Sequence, residues 1–344
     1  MWKWMPWRRA ATSQRPTASW EERPAPVEPS SDGAGAALPS LFPSQAPSQN
    51  AKHRHGRAAA TQTVSPERMF STDAVRRAWL AVKHAGGGAG MDGVTIAQFE
   101  ARLEPELAEL QRLLASGQYR PKPVRQVWVP KARSGMRPLA LWALRDRVAQ
   151  RVIYDLLSPI FEAQFLPCSY GFRPGLGVQD AVAALQRRRD EGLRWVVDAD
   201  IEDCFGTIPT DRLMKLVAAR VDDRLLRRYV RSWLEADIMN SADGRPRKAG
   251  TSQGSVLSPL LANVYLHQID QLMMAQGLAF LRYADDFVIC CRRRRKAEAA
   301  MQFSQTALKQ WGLQLNPHKS RIVHLDQGMT WLGHFFVGNA CYVL

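Results

Sequence analysis

Residues 280–291 read FLRYADDFVICC, two acidic side chains set between apolar, β-prone flanks. That pattern predicts a β-hairpin with Asp285 and Asp286 at its tip. Asp is common in turns for local hydrogen-bonding reasons, so the pair by itself has a purely structural explanation. Corroboration comes from RWVVDADIEDCF at 194–205, where an apolar strand again leads directly into carboxylates, Asp198, Asp200 and Asp203. Side chains at i and i+2 share a strand face, so Asp198 and Asp200 point together, with Asp200 the favoured ligand and Asp198 the reserve. Carboxylates from two adjacent strands supply the hard oxygen ligands that magnesium takes. Phosphoryl transfer to a 3′-hydroxyl calls for one such ion at the attacking oxygen and a second at the triphosphate.

A chain of 344 residues, 46% hydrophobic, can bury a sizeable core, with two or three subdomains around one centre. Its formal charge of +15 favours a polyanionic partner, nucleic acid first, because each neutralised phosphate releases condensed counterions. Residues 1–63 are rich in Pro, Ser, Ala, Gly and Gln and poor in aliphatic side chains, so they are expected to be a disordered, mildly basic tail. Most of the positive charge belongs to the remainder. The five cysteines show no C-x-x-C spacing, which predicts reduced thiols and no zinc site. No apolar run is long enough to span a membrane and MWKWMPWRR has no signal-peptide core, so a cytoplasmic protein is expected.

From residue 65 onward the texture is that of a folded domain. Helices are predicted over 74–85, 96–116, 146–161 and 179–189, from apolar spacing and helix-start residues. VRQVWVP at 124–130 alternates like a strand, and SGM at 134–136 reads as a turn. The five cations at 292–296 fall at a helix start, where the dipole disfavours them; they serve as phosphate contacts or as a solvated face.

These segments carry a family resemblance. The tetrad Tyr283-Ala284-Asp285-Asp286, the block DADIEDCF and the run GTSQGSVLSPLLANVYLHQID at 250–270 resemble the palm motifs of bacterial reverse transcriptases of the group II intron type. Upstream, GMDGVTIAQF, YRPKPVRQVWVPK, RPLALWALRDRVAQ and SYGFRPG match that lineage's N-terminal and finger blocks in order. The resemblance implies an α+β right-hand polymerase fold: a helical finger extension (64–118), fingers (119–193), a palm (194–327) and a primer-grip hairpin (328–344). It implies an RNA-directed DNA polymerase using two Mg2+ ions, with Mn2+ as the alternative, held by Asp200, Asp285 and Asp286. Its partners would be an RNA template, a DNA or RNA primer and dNTPs, with no membrane. Residue by residue, Phe205 matches the aromatic that rejects a ribonucleotide 2′-hydroxyl, and Lys131 and Arg137 match finger residues on the triphosphate. Gln253-Gly254 matches the loop beneath the nascent pair, Lys319 the general acid for pyrophosphate, and Trp331-Leu332-Gly333 the primer grip. Arg173 either touches template or braces its loop, and Tyr283 packs below the hairpin, supports the primer end, or both.

Three positions depart from the lineage: Ser252 stands where proline is usual, Gly206 where an acidic residue is usual, and LWAL at 141–144 replaces a Gly- or Pro-containing turn. No long helical thumb, maturase region or endonuclease module follows the primer-grip block, so self-sufficient intron mobility is not expected. The settings this leaves are CRISPR spacer acquisition beside an integrase, another phage-defence role, or a truncated intron-encoded protein acting on intron RNA. A different class is a non-catalytic RNA-binding splicing helper, against which the retained acidic cluster argues, since idle like charges repel. Cyclic-dinucleotide synthases, which share a palm-like fold, need a GG-[DE]-E-F hairpin that is absent here.

Overall fold

The two acid-tipped segments become neighbouring strands of one antiparallel sheet. The computed structural model describes residues 65–130, 135–239, 247–248 and 250–344. The expected tail (1–63) and Lys131 lie outside the described residues. Helices α1 (Pro66–Met69), α2 (Thr72–Ala85), α3 (Ile96–Ala101) and α4 (Leu103–Ala115) precede strands β1 (Val124–Pro130) and β2 (Met136–Leu141). Then come α5 (Leu144–Glu162), α6 (Val178–Asp190), β3 (Trp195–Asp200), α7 (Cys204–Thr207), α8 (Thr210–Ala218) and α9 (Arg224–Leu234). Strands β4 (Asp237–Met239) and β5 (Arg247–Lys248) lead to α10 (Ser258–Ala275), β6 (Ala279–Tyr283), β7 (Asp286–Cys291) and α11 (Arg294–Gln310). The last described strands are β8 (Arg321–His324), β9 (Met329–Trp331), β10 (His334–Val337) and β11 (Ala340–Val343). No helix among the described residues is long and apolar enough to cross a membrane.

The central sheet has the order β6-β7-β3-β8, every pairing antiparallel. Its inner strands β3 and β7 carry the apolar runs Trp195–Val197 and Phe287–Cys291 because both faces are buried there. Val197, Phe287 and Ile289 enter the main core, which α5, α10 and α11 share. Their neighbours Val196, Val288 and Cys290 enter a smaller core beneath α6, β9 and β10. A second sheet, β2-β1-β4-β5, combines the antiparallel β1–β2 pair with β4 added parallel to β1. The segment assigned to the palm by linear order thus donates two strands to the sheet that carries the expected finger residues. A third sheet, β11-β10-β9, holds the expected primer-grip hairpin.

The helix predicted over 96–116 is two helices, α3 and α4. Arg102 takes φ −124° and ψ 31°, outside the helical range. Pro105 explains the break: its ring would clash with the carbonyl of Ala101, and a proline is tolerated only in a helix's first turn. The other helices form within a few residues of the expected ranges.

One buried charge ties the acid-bearing hairpin to the rest. Arg282 of β6 and Asp270 of α10 are both 0% exposed, joined through two 2.7 Å hydrogen bonds from Nε and Nη2. The remaining guanidinium hydrogens are donated to Asn263 Oδ1 (2.9 Å), the carbonyl of Ala284 (2.9 Å) and Ser169 Oγ (2.8 Å). All five donors are used, which is the condition under which a buried guanidinium is tolerated. The backbone repeats the connection, with Arg282 N donating to Cys168 O at 2.7 Å and Tyr170 N to Arg282 O at 2.9 Å. Removing one partner of such a pair strands the other charge in the core. Asp270→Asn should therefore lower unfolding free energy by about 3–5 kcal/mol, read by urea denaturation, and a loss below about 1 kcal/mol would show that the pair carries no such weight.

Candidate active site

The register of β3 against β7 places Asp200 directly opposite Asp286. On the other side of β7, Tyr283 pairs with Asp286, leaving Ala284 and Asp285 as a two-residue turn. Ala284 takes φ +58° and Asp285 does not follow it, the sign pattern of a type II′ turn that matches strand twist. Ile201 N donates to Asp285 O at 3.3 Å, so the end of β3 clasps the turn. Three carboxylates from segments far apart in sequence are thereby gathered at one edge of the sheet.

Their protonation reflects that crowding. Burial, the neighbouring Asp285 charge and a hydrogen bond with Asp200 hold the Asp286 carboxyl well above the usual carboxylate range. Asp285 is also raised, by burial first and by Asp200 among its charged neighbours. Lys319 faces this cluster: its ammonium donates to Asp200 Oδ2 at 2.8 Å, and that hydrogen bond raises its pKa. It is presented by a tight loop in which Asn316 N donates to Asp200 O (2.8 Å), and Lys319 N and Ser320 N both donate to Asn316 O. Asp198, the reserve ligand, is taken by Arg321 of β8 at 3.2 Å. Asp203 stands at the N-terminal boundary of α7 in a left-handed conformation, and its side chain makes no capping hydrogen bond.

Among the described residues no three His, Cys, Asp or Glu side chains converge into a ready-made metal cage. Magnesium at a phosphoryl-transfer centre is commonly held by one or two carboxylates together with substrate phosphates, so a pair with a third acid beside it fits that ion. The donor chemistry fits as well, since hard oxygens that repel one another are stabilised by a divalent cation.

The remaining expected residues surround this edge in different ways. Phe205, half-buried on α7, accepts a hydrogen bond at its carbonyl from the Thr251 hydroxyl and meets the Phe172 ring edge-on. Gln253 and Gly254 form a loop stapled to β2, with Ala140 N donating to Gln253 O at 2.8 Å. At Gly254, φ is +109° and a Cβ would lie 2.2 Å from Ala140 O, so its close approach is to the β2 backbone. Gln150 of α5 anchors the same loop, accepting from Ser255 Oγ (3.2 Å) and Val256 N (3.0 Å). Arg137 is exposed on β2 opposite Val129. Tyr283 packs against the smaller core. Leu332 and Gly333, both at positive φ, make the type I′ turn between β9 and β10.

Arg173 had two readings open. It was expected as a template contact or a brace, and its guanidinium is turned inward: Nε donates to Glu162 (2.8 Å), Nη1 to Leu166 O (3.0 Å) and Ser169 O (2.8 Å), over the Phe165 ring. It braces the SYGFRPG loop, giving donors to Glu162 and Ser169 O and a second donor to Leu166 O, which also accepts from Ser169 N at 3.2 Å.

Four supporting residues were missed in the sequence: Gln150, Asn263, Asp270 and Arg282. Asn263, His267 and Asp270 recur at i, i+4 and i+7 in the otherwise apolar α10, a polar stripe on a buried helix face. That stripe, with a lone arginine inside the apolar run of β6, was the available signal.

Residues 129–336 match the family described as Reverse transcriptase (RNA-dependent DNA polymerase). Protein YkfC of Escherichia coli K12 is 32% identical over 284 residues, covering 71% of this chain and 74% of that protein. The group II intron-encoded protein LtrA of Lactococcus lactis is 30% identical over 200 residues, covering 58% of this chain and 33% of LtrA. A telomerase from Candida albicans, solved with a fragment of telomeric RNA, superposes with a TM-score of 0.50 at 15% identity over 66% of this chain and 47% of that one, a likeness of fold. The family match spans more than half the sequence and YkfC aligns across most of both proteins, so this chain belongs to the reverse transcriptases, the RNA-dependent DNA polymerases.

Proposed function

We propose that the chain extends a primer with dNTPs on an RNA template, and that Asp200, Asp285 and Asp286 are its catalytic carboxylates. The observation that carries this reading is the register seating Asp200 opposite Asp286 at the end of the sheet, with Asp285 in the adjoining turn. Those three side chains would hold two Mg2+ ions, or Mn2+ in their place, which when bound stabilise charge on the attacking 3′-oxygen and on the leaving pyrophosphate. Lys319 keeps its proton through its contact with Asp200 and serves as the general acid for the leaving group. Phe205 closes against the sugar and selects dNTPs. Arg137, with Lys131, grips the triphosphate; the Gln253-Gly254 loop and Tyr283 seat the nascent pair, and the turn at Gly333 holds the primer.

Among the settings, the intron-type lineage is the one a relative's name supports, LtrA being described as a group II intron-encoded protein. We therefore place an intron-type RNA ahead of spacer acquisition or phage defence as the template.

A primer-extension assay on poly(rA)/oligo(dT) tests the activity and separates it from a splicing helper that binds RNA without incorporating nucleotides. Asp285→Ala and Asp200→Ala should each reduce dTMP incorporation by about 1,000-fold or more while RNA affinity stays within a few fold, on the scale of losing an electrostatic centre. Full activity in either variant would remove that residue from the catalytic set.

The raised Asp286 pKa gives a second test. At low pH a proton occupies the carboxyl that a cation would take, and binding must displace it. The Mg2+ concentration at half-maximal extension should thus fall as pH rises from about 6 to about 8, the window above an ordinary carboxylate's titration. Asp286→Asn should flatten that dependence; an unaltered slope in the variant would assign the proton elsewhere.

A further inference from the structure

Among the described residues, four other than glycine adopt positive φ: Phe172 (60°), Asp203 (40°), Ala284 (58°) and Leu332 (49°). Ala284 and Leu332 lie in two-residue hairpin turns that demand it, and Asp tolerates it. Phe172 is different, a bulky residue outside a hairpin turn, in a region that a Cβ makes unfavourable.

The backbone before Phe172 is fixed against the hairpin that carries the acids, and the residue after it is anchored within its own loop and to α5. Gly171 lies so close to it that a Cβ there would sit 2.3 Å from Ala284 N, and its carbonyl accepts from Asn263 Nδ2 at 2.8 Å. Tyr170 is bonded to the Arg282 carbonyl. On the other side, Arg173 is anchored to Glu162 and to the carbonyls of Leu166 and Ser169. A residue pinned from both directions keeps a strained conformation, and what the strain achieves is the direction of its side chain. The half-buried Phe172 ring stands edge-on to Phe205, with centroids 6.3 Å apart and planes at 74°. Phe205 is held at its backbone by Thr251, and the Phe172 ring meets its ring from the side.

We propose that Phe172 is a specificity-determining positioning residue, whose ring holds Phe205 in the attitude that excludes a ribonucleotide's 2′-hydroxyl. Sugar selection then depends on two phenylalanines, and the second is aimed by the same hairpin that aligns the carboxylates. This rests on Phe205 acting as the sugar gate.

The test is single-nucleotide incorporation by the full chain on a primed RNA template, comparing kcat/KM for dGTP and GTP in the wild type, Phe205→Ala, Phe172→Ala, Phe172→Gly, Phe172→Tyr and the double alanine variant. Phe205→Ala sets the scale by collapsing the dGTP preference. Phe172→Ala should lower the preference by about 3- to 10-fold, the worth of one aromatic edge contact, and Phe172→Tyr should restore it. Phe172→Gly should lower it equally while melting no earlier than Phe172→Ala, since glycine accepts positive φ. The double variant should match Phe205→Ala alone, because the two rings act as one unit. If Phe205→Ala loses selectivity while Phe172→Ala and Phe172→Gly keep the wild-type ratio, the positioning role is overturned and the gate stands. Equal losses with both nucleotides also overturn it, as a merely structural effect. An unchanged ratio in Phe205→Ala removes the gate reading and this inference with it.

Discussion

Arg282 and Asp270 form the interaction on which the geometry of the site depends. A guanidinium at 0% exposure has lost its hydration, and what offsets that loss is one carboxylate at 2.7 Å and partners for every remaining N–H. Those partners come from three parts of the chain: Ser169 from the SYGFRPG loop, Asn263 and Asp270 from α10, and the Ala284 carbonyl from the acid-bearing turn. Satisfying one arginine therefore fixes the turn relative to the helix behind it and the loop beside it. The close backbone approach at Gly171, where an added Cβ would lie 2.3 Å from Ala284 N, and the strained Phe172 stand beside the same clamp.

The central sheet shows why such polar anchors are needed. A sheet with one wet face has its register enforced by alternation, since a one-residue slip would expose its core side chains. Here Val196 and Val197, like Val288 and Ile289, are apolar on both faces, so a slip would still bury hydrocarbon. Register is instead carried by the polar ends: the two-residue turn at 284–285, the Asp198–Arg321 pair and the Asn316 loop bonded to Asp200 O. These devices stand next to the acids that must be aligned, so the features that set register also build the site. Lys319 adds one positive charge to the cluster and moderates a repulsion that burial makes severe.

Of the departures from the lineage, Ser252 has a visible consequence: its hydroxyl is buried without a partner in the loop that joins Gln253 to β2, where a proline would bring no donor. That loop is nonetheless held twice, by Ala140 and by Gln150. The fold was readable where local patterns decide it. Helices at 146–161 and 179–189 and the hairpin at 280–291 all follow from period and turn chemistry. Pro105 could have split the helix at 96–116, because the clash it makes is local and its position was in view. The parallel addition of β4 to β1 carried no such signal, since strands three residues long are recruited by a neighbour's free edge.

The sequence by itself determined that two acid-tipped apolar segments exist, that one is a hairpin, and that the ordered blocks around them are those of a reverse transcriptase, because strand period, turn residues and motif order are properties of adjacent residues. Tertiary structure alone decided which acid faces which, that Arg321 pairs with Asp198, that Arg173 turns inward, and that Phe172 reaches Phe205. Apart from Arg173, whose partners lie 4 to 11 positions away, those outcomes turn on distances between residues dozens of positions apart. Such distances are set by how a buried charge finds its partners and how two cores close over one sheet, and no local window of the chain contains them.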